Sequence, residues 1–255
     1  MKKPYIKKIG EFSGYKVFYV NGYWIRKNLD KAFTNFGYNF HFDFIPKGEF
    51  WIDWENGKKE AKYFIDSFLA IQCALEDGKS YEQAVKEADK FEQRERSKSK
   101  FLKKLKKLNT KKEILKKIHK KRLFKEYTQN IQIWIVRGDL VRSLFHLDFT
   151  QGGHDLVYNF IPKNEVWIDD DIYRKEIPFV LIHELHERRL MLKGWSYDDA
   201  GGQEVFMRNQ NKKGKSAHFH AEDLEFWCRH HPKKVHKILV KEIKMNENLS
   251  EVKKK

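Results

Sequence analysis

The sequence of 255 residues holds only two cysteines, Cys73 and Cys228, and five prolines. Two cysteines cannot build a disulfide framework, so an apolar core must hold the chain, and a reducing, cytoplasmic setting is expected. No run approaches the roughly 18 uninterrupted apolar residues that a membrane span needs. The opening MKKPYIKKIGEF has lysines with no apolar stretch behind them, unlike a secretory signal. Gly-rich phosphate loops and Gly-x-Ser-x-Gly elbows are also missing. His220-Ala221-Glu222 lacks the downstream Pro-Cys-x-x-Cys that zinc deaminases require.

Aromatic and basic residues are plentiful. Twenty Phe, 11 Tyr and 7 Trp supply large core-forming side chains, which excludes wholesale disorder. The formal net charge of +16 is concentrated in one place: residues 97–126 carry fourteen Lys or Arg against Glu113 and Glu126, a net +12. About +4 is left for everything else, so the basicity belongs to a segment and not to a folded surface.

The chain is built twice. NFHFDFIPKGEFWID at 39–53 recurs as DLVYNFIPKNEVWID at 155–169, and the offset of 116 residues holds from Tyr15/Ile131 to Ala84/Ala200. Over those 70 positions 21 are identical, among them Gly22/Gly138, Arg26/Arg142, Pro46/Pro162, Trp51/Trp167, Asp53/Asp169 and Tyr81/Tyr197. The register resumes after a 17-residue insertion in the second copy, where AVKEADKFE (84–92) matches AHFHAEDLE (217–225). Tandem duplication is the reading.

Each copy predicts an α+β unit, a small antiparallel sheet followed by two helices. VFYV-Asn-Gly-YWIR suggests a hairpin, the alternation in NFHFDFI a strand, and EFWID or EVWID a second strand after a Pro-Lys-Gly/Asn turn. A helix over 60–77 or 176–193 should end at Gly78 or Gly194. Ser-Tyr-Asp/Glu should open the next helix. Domains are expected at 1–97 and 127–245, with a basic helical linker at 98–126 and a charged tail at 246–255. In the linker, Phe101, Leu105 and Leu108 recur at helical spacing, as do Ile114, Leu115 and Ile118. Thr110 and Glu113 form a capping-box pattern, so two short helices broken near Asn109 are predicted. The linker reads either as a solvated connector or as an arm for nucleic acid or an acidic partner.

The chemistry lies in IPFVLIHELHERRLM (177–191) of the second copy. His183 and Glu187 at i and i+4 project from one helix face, with Glu184 beside them. Two metal ligands a turn apart with an adjacent carboxylate is the geometry zinc hydrolases use. The helix resembles that of the zincin metallopeptidases, whose motif is His-Glu-x-x-His. The resemblance covers this helix and a downstream histidine. It implies zinc or another divalent transition metal, a peptide or protein substrate, and Glu184 as general base. The chain departs from the pattern at Glu187, where the family has His, and His186 at i+3 is a competing ligand. His218 is the third ligand expected from a following helix.

The duplication supplies an internal control. Where the second copy has His183, Glu184, His186, Glu187 and His218, the first has Ser67, Phe68, Ala70, Ile71 and Val85, although the turn and strand motifs persist. Residues needed by the fold should occur in both. Glu222 and Glu225 match Asp89 and Glu92, so they read as structural. His154, replacing Tyr38, is specific to the second copy and is expected either to stabilise an oxyanion or to fill a Gly-Gly turn. The insertion at 201–216 is read as a lid or a tolerated surface loop. The expectation is a metal-dependent hydrolase, with a non-catalytic binding protein using 98–126 as the alternative.

Overall fold

The computed structural model describes residues 4–105, 107, 110–197 and 216–252. The expected helix break near Asn109 and the 201–216 insertion, Ser216 apart, lie outside them. The architecture is α+β, with two four-stranded sheets, each followed by long helices.

The first sheet contains β1 (Tyr5–Phe12), β2 (Tyr15–Val20), β3 (Phe36–Tyr38) and β4 (Glu49–Asp53) in the order β1-β2-β4-β3. A short helix α1 (Gly22–Asn28) separates β2 from β3, and α2 (Ala61–Glu76) and α3 (Tyr81–Ser97) follow. Next come α4 (Lys100–Leu105) and α5 (Lys111–Ile118). The second sheet contains β5 (His119–Leu123), β6 (Gln132–Val136), β7 (Gly152–His154) and β8 (Glu165–Asp169) in the order β5-β6-β8-β7. It carries α6 (Gly138–Leu144), α7 (Ile177–Leu192), α8 (Ala217–His230) and α9 (Val235–Val252).

The sheets are mixed, which corrects the antiparallel expectation. β2 runs parallel to β4 with Lys16 opposite Glu49, and β6 parallel to β8 with Gln132 opposite Glu165, the same register in both repeats. Parallel neighbours need a crossover instead of a tight turn, and the stretch containing α1 or α6 provides it. Asn21-Gly22 therefore opens a helix and not a hairpin. Gly22 serves close approach, since a Cβ there would lie 1.9 Å from Asp53 Oδ2. The hairpin joins β1 to β2 through Ser13 and Gly14, both at positive φ. The alternating NFHFDFI segment is a succession of turns, with the short β3 just before it.

Other expectations hold. Both long helices end within a residue of their predicted limits. Gly78 and Gly194 adopt φ of +80° and +89°. The Lys79 and Trp195 amides reach back to the Ala74 and Leu190 carbonyls, the bonding that closes a helix with a left-handed residue. In the second repeat the helix expected after Ser196-Tyr197 falls outside the described residues. Ala217 N–H donates to the Ser196 carbonyl and His218 N–H to that of Tyr197, which joins the described residues on either side of the insertion. Ser216 then caps α8 through Phe219 N–H.

Residues 98–126 are not a separate linker. Leu102, Leu105 and Ile118 bury the apolar edge of α4 and α5 while their lysines face solvent, and His119–Leu123 is a sheet strand. Nor is 246–252 a tail, because α9 continues through it with Asn246 and Ser250 buried.

The chain forms two compact units, and neither is one contiguous repeat. Unit 1 comprises residues 1–22, 33–119 and 137–150; unit 2 comprises 23–32, 120–136 and 151–255. Each takes its sheet and long helices from one repeat and a short helical arm from the other. The reason is electrostatic. In unit 1, Glu60 pairs with Arg96, which also holds Glu92 at 2.7 Å, and with Arg142 of the arm. In unit 2, Glu176 pairs with Arg229, which holds Glu225 at 2.6 Å, and with Arg26 of the arm at 3.1 Å. These are equivalent positions in the two repeats, and in each unit two buried carboxylates meet two buried guanidinium groups. A buried carboxylate without its partner is strongly destabilising, so each glutamate requires the arm.

Arg142→Met should accordingly destabilise unit 1 by about 3–5 kcal/mol, the usual cost of breaking a buried ion pair by removing one partner. Urea unfolding followed by tryptophan fluorescence measures this; an unchanged midpoint would contradict the role given to the cluster.

Candidate metal centre

The candidate centre lies in unit 2, between α7 and α8 and beside β7. The helix carrying it is nearly all buried: Phe179 to Ile182 and Leu185 pack in the apolar core with Ile133, Val166 and Ile168. That placement forces Glu184, Glu187 and His183 into the interior, where a polar group must find partners.

His183, Glu187 and His218 converge. Nε2 of His183 lies 3.4 Å from Oε2 of Glu187 and 3.3 Å from Nδ1 of His218, and that Nδ1 is 2.7 Å from the same carboxylate oxygen. Tetrahedral zinc with bonds of roughly 2.0–2.1 Å holds its ligand atoms about 3.3 Å apart. Two of the three separations match that spacing, the His218–Glu187 pair at 2.7 Å is a hydrogen-bonded contact, and the donor set, two imidazoles and a carboxylate, suits such an ion.

The supporting contacts agree with this. The Nδ1 edge of His183 faces Glu225 at 3.1 Å, so a proton held there leaves Nε2 free to ligate. Leu156 N–H donates to Nδ1 of His154, so the ring's proton sits on Nε2 and is donated to Glu187 Oε1 at 2.9 Å. His154 is fully buried with both nitrogens engaged. It positions Glu187, and the expected oxyanion role finds no free N–H on this ring. Glu225 is both structural, as its match to Glu92 suggested, and a partner of the candidate ligand His183.

His186 turns away from the cluster, its Nδ1 3.0 Å from Glu242 on α9 and 2.9 Å from Arg189. The i, i+4 pair therefore faces the centre and the i+3 histidine does not. Arg188, also buried, binds Asp155, Asn164, Asn246 and Ser250. The second convergent set, His154, Glu184 and Glu187, shares Glu187 with the first.

Electrostatics divide the two acids of the motif. Burial and the neighbouring Glu187 push Glu184 up to about 8. Burial also opposes ionised Glu187, but hydrogen bonds from His154, His183 and His218 outweigh it and hold this carboxyl well below its usual range. For His183 burial disfavours the charged ring, and its bonds to Glu187 and Glu225 override that, raising its pKa well above the ordinary value. Glu225 sits at about 2 despite burial, because Arg229 and His183 stabilise its charge.

Unit 1 shows what fills this place when the site is absent. Phe68, at the position of Glu184, stacks on Phe50 with centroids 4.4 Å apart and packs on Tyr38 and Tyr15 at 4.9 Å. Phe36 closes the cluster against Phe64 at 4.7 Å. The equivalent of Phe36 in unit 2 is Gly152, where an added Cβ would come within 3.0 Å of Glu184 Oε1 and of the Trp167 carbonyl. Gly152 makes room for the acid. Sequence reasoning missed it, although the Phe36/Gly152 difference was visible in the aligned repeats.

Comparisons with protein-family models, curated proteins and solved structures return no match. No helix among the described residues is long and apolar enough to cross a membrane.

Because Glu184 has a raised pKa in the folded metal-free chain, its contribution to stability is full below the ordinary carboxylate value and is lost as pH rises through about 8. Glu184→Gln should flatten the decline in Tm between the ordinary carboxylate value and about pH 8. An unchanged slope in thermal melts of metal-free protein would place the proton elsewhere.

Proposed function

We propose that the chain is a metal-dependent hydrolase acting on an amide bond of a peptide or protein substrate. The observation that carries this reading is the convergence of His183 Nε2, His218 Nδ1 and Glu187 within ligand distance, beside the buried carboxyl of Glu184. Zinc is the proposed metal, and when bound it supplies Lewis acidity toward a water and a substrate carbonyl.

The chain's own residues would divide the remaining work. His183, Glu187 and His218 hold the ion. Glu225 orients the first imidazole, and His154 keeps the Glu187 carboxylate aimed. Glu184, buried next to the ligand set, would accept a proton from water and return it to the leaving amine. His218 has the most exposed side chain of the three, with the Tyr197 ring 5.1 Å from it. The lysines of α4 and α5 offer charge without comparable convergence, so the hydrolase reading is preferred to the binding-module reading.

Elemental mass spectrometry on protein purified without a histidine tag tests the centre. About one zinc per chain is expected, lost in the His183→Ala, His218→Ala double variant. Metal absent from the wild type, or retained by the variant, would overturn the proposal. Glu184→Gln should keep the metal and lower amide hydrolysis by about 10²–10⁴-fold; loss of metal with it would contradict the proton-transfer role.

A further inference from the structure

The arm at residues 23–32 comes from the repeat that lacks the centre, yet it belongs to the unit that has it. Two of its cations, Arg26 and Lys31, begin two polar routes that end at the outer nitrogens of the two candidate histidine ligands. Arg26 donates to Glu176 Oε2, Arg229 bridges Glu176 and Glu225, and Glu225 faces His183 Nδ1. Lys31 Nζ lies 2.7 Å from Asp223 Oδ1 and 3.2 Å from Glu222 Oε2 on α8. The other oxygen of Glu222 is 3.6 Å from His218 Nε2. A carboxylate hydrogen-bonded behind a ligating imidazole fixes the ring's orientation and raises its basicity; Glu225 holds that place behind His183, and Glu222 is the carboxylate that faces His218 Nε2.

The repeats separate the two routes. Arg26 recurs as Arg142 and belongs to the framework common to both units. Lys31 does not recur: its equivalent is Leu147, and that of Asp223 is Lys90. The Lys31–Asp223 pair is thus peculiar to the unit bearing His183 and His218. Glu222 and Asp223 are adjacent acids on α8, and Lys31 pairs with both.

We propose that the arm of the first repeat is a built-in part of the centre, with Lys31 a positioning residue for His218 acting through Glu222. This explains why a repeat without the site is kept beside the repeat that has it. The inference rests on the metal-centre reading above.

The test is a Co²⁺ titration of the full chain against a competing chelator, comparing wild type, Lys31→Leu, Lys31→Arg and Arg142→Met. Lys31→Leu should weaken Co²⁺ binding by about 10–100-fold and alter the visible spectrum of the bound ion, with Lys31→Arg restoring most of both. Arg142→Met, which disrupts the unit without the centre, should cost stability and leave affinity and spectrum unchanged. Wild-type affinity and spectrum in Lys31→Leu, or an equal loss in Arg142→Met, would overturn the inference. Should wild type take up no Co²⁺, the hydrolase reading fails, and the histidine ring NMR signals of the metal-free chain decide the arm's role. His218 signals displaced in Lys31→Leu but not in Arg142→Met support it; unmoved signals refute it.

Discussion

A glutamate buried at the entrance of the long helix sets the terms for the rest of this protein. Glu60 and Glu176 occupy the same place in the two repeats, and neither can stay charged in the interior without compensation. In each unit the repeat's own arginine, Arg96 or Arg229, supplies one positive charge, and the arm of the other repeat supplies the second. The exchange of arms follows from that need. It also explains why Arg26/Arg142 and Glu60/Glu176 stayed identical while much around them changed.

On this shared frame the two units diverged in their interiors. Unit 1 closes the space between sheet and helix with stacked aromatic rings, a dry solution that gains from burial and from ring geometry. Unit 2 replaces Phe68 with Glu184, Phe36 with Gly152 and Tyr38 with His154, which exchanges that packing for polar groups that must satisfy one another. Glu187 meets three histidines, and His183 is held from behind by Glu225. An arrangement this costly to desolvate is sustained only where each member is partnered.

The same divergence accounts for the electrostatic split between neighbouring acids. Glu184 and Glu187 share a helix and a depth of burial, but only Glu187 is surrounded by donors. One is therefore kept ionised and the other retains its proton to about pH 8. Acid and ligand roles are assigned by surroundings and not by residue type.

Much of this was legible in the sequence. The repeat, the long helices with their closing glycines, and the separation of His183, Glu184, Glu187 and His218 from the fold's own requirements all follow from spacing and from comparing the copies. Those are local properties, fixed by periodicity, turn chemistry and substitution at equivalent positions. What the chain order could not reveal depends on which strands pair and what faces what. Asn21-Gly22 has the composition of a hairpin turn, but its glycine is used for contact with Asp53 from a strand far along the chain. His183, His186 and Glu187 lie within a turn or so of one another on one helix, and only the packing of α8 and α9 directs His186 to Glu242 and the other two to His218. The crossing of the arms between units, and with it the reach of Lys31 to α8, is a matter of tertiary structure, because charge neutralisation in a buried site selects partners by space and not by sequence.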